Sequence, residues 1–377
     1  MSKQKLHIIS FAVPDPPDYG GVIDVFYKIK ALADQNIGVI LHCYQYNSET
    51  VSNKLSALCE EVHYYPRLMS WRKAISTTPY IMSSRKDDRL LHRLKQDEFP
   101  ILFEGMHTTA IADHLVGDNR KLALRMHNIE WDYYKSLAQQ ESNWFKRIYY
   151  YLEGVKLLKS NRVLNQMDKI FTISQKEQNE LSGNYPKCEY LPVFHANEKV
   201  TGQKGRGQYI LYHGNLTVAE NKKAVNFIVS ELYQKLGLDI PIIIAGKFNE
   251  QAVDAIDTIQ HVTFKPNSSK EEMDDLIRNA QIHLLPTFQS TGIKLKLINA
   301  LFKGRHCIVN STMVEGTGLD HLCHVADTPQ EMLDQIKKLW ARDFDEAEIN
   351  TRTAYLDQHF SSKKGAIQLI ESLNSLP

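Results

Sequence analysis

The stretch KLHIISFAVPDPPDYGGVIDVFYKIKALADQNIGVILHCY (residues 5–44) carries the pattern that decides the fold. KLHIISFAV (residues 5–13) is a near-continuous apolar run of strand length, and DPPDYGG (residues 15–21) is turn chemistry. Val22, Val25, Phe26, Ile29 and Ala33 then recur at helical spacing, and IGVILHCY (residues 37–44) is a second apolar run. Strand, glycine loop, helix and strand in about 40 residues form a βαβ unit, whose right-handed crossover demands parallel strands with helices on the sheet faces.

The same pattern returns in the second half. YILYHGNL (209–216), PIIIAG (241–246), HVTFK (261–265), QIHLLP (281–286) and HCIVN (306–310) are expected strands, and helices are expected over 219–236, 269–280 and 292–303. TGQKGRGQ (201–208), glycine-rich and polar, is expected to be the interdomain linker or its exit. The chain is therefore α/β, with two doubly wound parallel-sheet domains.

Composition supports this and removes several function classes. With 377 residues, 43% hydrophobic and 24% charged, the chain can bury two cores. Lys plus Arg number 45 against 44 Asp plus Glu, so there is no global basic field of the kind that binds nucleic acid. Cys43, Cys59, Cys188, Cys307 and Cys323 are scattered without a CxxC pair, which fits a reducing cytosol and neither a disulfide framework nor a zinc site. No apolar run suffices for a signal peptide or a spanning helix, so the expected location is cytoplasmic, with any membrane contact peripheral at the inner face.

The segment LLPTFQSTGIKLKLINALFKGRHCIVN (284–310) is the richest in chemistry. A strand ends at Pro286, a small-residue loop follows, and a helix is expected near Gly292 with Lys294 and Lys296 in its first turns. A helix N-terminus presents unpaired N–H groups and a positive dipole end, and Ser290, Thr291 and Gly292 would let a phosphate approach that backbone.

Within it, GIKLKLINALFKG resembles the signature of retaining, family 4-like GT-B glycosyltransferases (glycosyl transferases group 1), in which a G-I-Q-N-K-V-L-E-A-M type helix holds the donor nucleotide. Gly292, Ile293, Lys296 and Ala300 match. Asn299 stands where the family places a glutamate on the ribose hydroxyls, and Thr291 where the E-x7-E form has its first glutamate. YHGNLTVAENKKAVNFI (212–228) resembles the strand, turn and helix that open the nucleotide-binding half. Gly214 and Asn215 lie in the turn, Asn215 at the usual arginine, and Lys222 or Lys223 stands for the family lysine. Lys247 follows the strand ending at Gly246, and Phe264 and Lys265 lie on the strand that reads the base.

In the first half, DYGGVIDVF resembles the family glycine loop through Gly20 and Gly21, and LALRMHNIEWDYY (122–134) its H-N-x-E stretch through His127, Asn128 and Glu130. Ser174 is expected to cap a helix.

The resemblance implies a GT-B fold of two facing Rossmann-like domains: residues 1–195 on the acceptor side, 196–360 binding the nucleotide sugar, and 361–377 a helix packing back on the first domain. It implies sugar transfer from a nucleotide diphosphate donor, a UDP- or GDP-sugar, to a glycan or lipid-linked acceptor, as in polysaccharide biosynthesis. The reaction would retain configuration, with no metal and no cofactor beyond the donor. His127 and Lys296 would be catalytic. Gly20, Gly21, Gly214, Asn215, Lys222, Lys247, Ser290, Thr291, Gly292, Ile293, Lys294 and Asn299 would bind the donor.

Two further readings share the cleft: a catalytically silent homologue that binds nucleotide or a partner, and a GT-B-fold sugar-nucleotide epimerase. A periplasmic-type binding protein would carry a secretion signal and ranks last. The GxGxxG, P-loop, GxSxG and HExxH motifs do not occur. Asp343-Phe344-Asp345 spells the D-x-D of metal-dependent transferases but lies far from every expected phosphate loop, and is expected to be solvated surface. The basic stretch 67–95 and the aromatic, amphipathic stretch 143–159 fit either ordinary helices on the first sheet or peripheral contact with anionic lipid.

Overall fold

The computed structural model describes residues 3–46, 51–70, 73, 76–248, 259–289, 292 and 294–375. The chain divides into two compact units, Met1–Ala196 with Phe360–Pro377, and Asn197–His359.

The first unit holds strands β1 (Lys5–Ser10), β2 (Gly38–Gln45), β3 (Glu61–Pro66), β4 (Ile101–Glu104), β5 (Leu122–Met126), β6 (Lys169–Thr172) and β7 (Cys188–Tyr190). They form one seven-stranded sheet in the order β3-β2-β1-β4-β5-β6-β7, every pair parallel. The near-continuous burial of β1, β2, β4 and β5 is what a sheet covered on both faces requires. Strand order reverses between β1 and β4, the kind of switch point where open α/β sheets leave a crevice beyond the strands' carboxyl ends.

Helix Gly20–Asp34 buries Val22, Val25, Phe26, Ile29 and Leu32 against this sheet. Gly21 meets a steric demand: a Cβ there would lie 2.8 Å from the Phe11 ring. Neither Gly20 nor Gly21 has positive φ, so close packing, not a left-handed turn, is what requires glycine at Gly21. The last helix, Ser362–Asn374, packs on helix Gly20–Asp34, and its Ala366, Leu369 and Leu373 share a core with Ile29 and Leu32.

The second unit holds β8 (Ile210–His213), β9 (Ile242–Gly246), β10 (Val262–Pro266), β11 (Ile282–Leu284), β12 (His306–Val309) and β13 (His324–Val325), all parallel in the order β10-β9-β8-β11-β12-β13. Helix Ala219–Phe227 continues without a break into a π-helical segment, Ile228–Lys235, which together fill the span expected as one helix. Helix Lys270–Asn279 opens on a capping box between Ser269 and Glu272.

Two expectations are corrected. The helix expected from Gly292 runs Leu295–Lys303 with Lys294 as its N-cap; Gly292 has φ +88, outside the helical region, so the backbone still belongs to the loop. Residues 201–208 are not a linker. Thr201 N donates to Phe302 O, Gly205 bridges Phe344, Gly207 N donates to Gln281 Oε1 at 2.7 Å and Arg206 pairs with Asp343, so the stretch is knitted into the second unit. The chain passes between units at Ala196 and again at Phe360.

Candidate functional site

In the second unit the carboxyl ends of β8 and β9 meet. Gly214 N donates to Ala245 O, and Gly246, with φ +143, lies so close that a Cβ would fall 1.9 Å from Gly214 O. Beyond β8 the chain makes an Asx turn: Asn215 Oδ1 accepts from Thr217 N at 3.0 Å and from Thr217 Oγ1 at 2.7 Å. The Asn215 carbonyl accepts from Asn221 Nδ2 at 2.8 Å, and Asn221 Oδ1 in turn accepts from Lys296 Nζ at 2.5 Å. Asn221 therefore joins the glycine turn to the lysine helix, and it brings Gly214, Asn215 and Lys296 into one cluster.

Lys296 lies 3.4 Å from Tyr212 Oη and 5.3 Å from that ring's centroid. Among the described residues it has an amide and a phenol as partners but no carboxylate within ion-pair distance. Burial lowers its pKa, and Glu220, whose Oε1 accepts from Thr287 Oγ1, acts against that shift. Lys294, two residues earlier, donates from Nζ to Gln289 O at 2.8 Å. The helix thus opens with a lysine at its cap, another in its first turn and no acid there, which is unfavourable for its dipole.

The remaining donor-side residues are placed as follows. Lys222 is exposed beside Asn221, and Lys223 lies over the Phe288 ring at 4.7 Å. Lys247 is exposed, its carbonyl accepting from Leu216 N at 2.8 Å. Asn299 Oδ1, part-buried, accepts from Asn197 Nδ2 at 2.8 Å. Ser290, Thr291 and Ile293 lie outside the described residues. Sequence reasoning missed Asn221; its one signal was a short amide among the charged residues of AENKKA.

In the first unit His127 ends β5 in a buried charge network. Its Nε2 is 2.9 Å from Glu104 Oε2 and its Nδ1 3.9 Å from Asp24 Oδ2. Lys28 Nζ donates to Asp24 at 3.0 Å and to Glu104 at 2.6 Å. Arg125 donates to both Asp24 oxygens and to the carbonyls of Thr172, Leu191 and Pro192, using the full fork of its guanidinium. Asp24 also accepts from Phe194 N at 2.8 Å. Burial opposes ionisation of Asp24, but Arg125, Lys28 and His127 outweigh it and hold the carboxyl well below the usual range. Glu104 is likewise lowered, by Lys28 and His127 against burial. Asp24 and Lys28 sit four residues apart inside the helix's apolar stripe, which was the available signal for a buried pair.

Phe11 separates two histidines, its ring 5.4 Å from His127 and 5.3 Å from His107, while Gly21 lies against its far edge. His107 Nδ1 is 3.9 Å from Glu130. Burial, with Glu177 nearby, pushes Glu130 up to about 8, so at neutral pH it is a carboxylic acid able to donate. Burial raises Glu177 to about 7. Ser174 caps helix Gln175–Ser182 through Glu177 N at 3.2 Å.

Two described clusters have metal-ligating atoms within 4.8 Å: Asp24, Glu104 and His127, and His306, His324 and Glu348. Lys28 and Arg125 already neutralise the first, and Arg342 pairs with Glu348 of the second at 2.5 Å. Of the D-x-D stretch, Asp343 is exposed, while Phe344 is buried and pairs with Gly205, so the expectation of solvated surface holds only for part of it.

No family model matches the sequence. A Klebsiella pneumoniae relative, an uncharacterized 44.6 kDa protein in a cps region, is 25% identical over 333 residues, covering 84% of this chain and 85% of its own. Among solved structures, HepE from Anabaena with UDP and glucose superposes at TM-score 0.67, with 11% identity over 99% of this chain and all of that one (100%). S. aureus TarM in complex with fondaparinux, α-GlcNAc-glycerol and UDP superposes at 0.66, with 8% identity over 99% and 100% of the two chains. The chain has the GT-B fold. Both its parallel sheets, of seven and six strands, belong to that GT-B architecture, and no helix among the described residues is long and apolar enough to cross a membrane.

Proposed function

We propose that this chain is a glycosyltransferase that moves a sugar from a nucleotide diphosphate donor to a glycan or lipid-linked acceptor. One observation carries the reading: within a GT-B fold, Lys296 is held by Asn221 and Tyr212 at the start of a helix, with no countercharge in contact among the described residues. A diphosphate would supply that charge and relieve a helix end burdened with two lysines. The bound UDP of HepE and TarM supports a UDP-sugar donor, with GDP-sugars the next class to test. The Klebsiella relative's cps region supports a place in polysaccharide biosynthesis.

In this mechanism the leaving diphosphate gathers negative charge as the glycosidic bond breaks. Lys296, Lys294 and the N–H groups at the helix start stabilise it, as fixed donors do more effectively than water. Gly214, Asn215, Lys222 and Lys247 contribute to the same phosphate-binding end, and Asn299 accepts from the ribose. His127 orients the sugar, with Gly20 and Gly21 beneath it; configuration is retained and no metal is required.

A thermal-shift panel of UDP, GDP, ADP and their sugars tests the donor class, because a ligand of the native state raises Tm. UDP or a UDP-sugar is expected to give the largest shift. Lys296→Ala should abolish that shift and lower turnover by about 100-fold or more while the melt without ligand is unchanged. A panel without response, or turnover near normal in Lys296→Ala, rejects the assignment.

A further inference from the structure

We propose that the outward face of helix Trp144–Lys159 docks on an anionic lipid bilayer. Its inner face is settled: Glu153, Gly154 and Leu157 are buried, and Gly154 packs so closely on helix Glu130–Gln140 that a Cβ would lie 3.4 Å from Trp131 O and from Tyr134 Cβ. Most of the helix's large apolar residues lie outside that buried face. Trp144 (60% exposed), Phe145 (65%), Ile148, Tyr151 (60%), Leu152 and Leu158 lie on the open side. They are six of the sixteen large hydrophobic residues exposed among the described residues, and scattered single exposures do not produce such a concentration.

Residues 144, 148, 151, 155 and 158 follow a spacing of four and three, so Trp144, Ile148, Tyr151, Val155 and Leu158 form one stripe, widened by Phe145 and Leu152. Helical geometry sets Arg147 and Lys159 along its two margins, with Lys146 and Arg162 exposed near its ends. The only acid from Asn143 to Arg162 is Glu153, buried and bonded to Lys156 and Tyr80 N. The positive character continues past the helix, where Arg162 lines a cavity of about 670 Å³ with Lys73, Lys86 and His114 against Asp88 and Asp113.

Aromatic rings with polar edges, an aliphatic ridge and unpaired cations at its margins match the headgroup boundary of a membrane with negative surface charge. A second copy of the chain fits less well. A two-fold contact would set this patch on itself, cations facing cations, and the helix's own acid, Glu153, is buried.

The test is flotation of the full chain with phosphatidylcholine vesicles, with and without phosphatidylglycerol. The protein should rise with the anionic vesicles and be released by salt. Ile148→Asp and Leu152→Asp should each lower the bound fraction about tenfold or more, and Arg147→Glu with Lys159→Glu by about tenfold on anionic vesicles. These side chains are exposed, so the variants should melt and respond to UDP as the parent does, which separates this proposal from the donor assignment. Absence of flotation, equal flotation of parent and variants, or a parental dimer that Ile148→Asp converts to monomer would overturn it.

Discussion

In the first unit the buried carboxylates around His127 each have an opposite charge in contact: Asp24 with Arg125 and Lys28, and Glu104 with Lys28 and His127. In the second unit the corresponding strand ends hold Lys296 against an amide and a phenol, with no carboxylate in contact among the described residues. A cluster that neutralises itself fixes geometry and gives an ion no reason to enter. A cation held by neutral dipoles is oriented while its electrostatic demand stays unmet, which is the condition for recruiting an anionic ligand. The first arrangement is read as scaffold for His127, the second as a receptor.

The comparison breaks most visibly at Arg125. Arg125→Ala leaves the Asp24 carboxylate in the core with Lys28 as its one lysine or arginine in contact among the described residues, while Lys28 is shared with Glu104, and loss of one partner of a buried pair costs about 3–5 kcal/mol. Denaturant unfolding followed by hydrogen exchange should show the first unit opening at lower denaturant and the second unmoved; equal loss in both units would contradict a self-contained network.

Acid should separate the units by a smaller amount. In the second, burial lowers His213 to about 3 and His324 to about 4, and lowers His283 well below its usual value. Their folded pKa values are depressed, so below about 6.5 the unfolded chain binds protons that the folded one refuses, and each histidine removes about 1.4 kcal/mol per pH unit. The first unit has His42 and His107 lowered in the same way. It also has Glu130 and Glu177 raised to about 8 and about 7, protonated when folded and ionised when unfolded above pH 4.5, so falling pH stabilises them. Between pH 7 and pH 5 the second unit should therefore lose more protection from hydrogen exchange than the first.

Asn221→Asp sharpens the contrast from the other direction by supplying the missing countercharge. Lys296 would gain an ion pair, and nucleotide affinity should fall about tenfold, or about 1.4 kcal/mol, by calorimetry; unchanged affinity would mean that the lysine does not meet the phosphates. The smallest effect is expected at Ser174, where loss of the cap costs about 1 kcal/mol of stability and leaves turnover unchanged.

The strands were legible because sheets covered on both faces produce near-continuous apolar runs, as in ILHCY and IIIA. Boundaries were less so: composition could not tell that Gly292 would take a left-handed conformation and delay its helix by three residues, from 292 to 295. Nor could it distinguish slack glycine from glycine paired with a neighbour, so residues 201–208 were misread. The candidate site divides similarly. Lys296 stood out as a cation at a helix start, whereas Asp24 and Lys28 look like a solvated pair until Glu104 and Arg125, brought from distant strands, enclose them. Amphipathicity in residues 144–159 was visible, but the direction of its apolar side is a tertiary fact.

The closing helix, Ser362–Asn374, belongs to the unit that the chain begins rather than to the one it has just left. A chain cut before residue 360 would keep every residue of the later unit, while the earlier one would expose the surface that Ala366, Leu369 and Leu373 cover. Damage at the far end of the sequence should therefore be felt first in the half nearest its start.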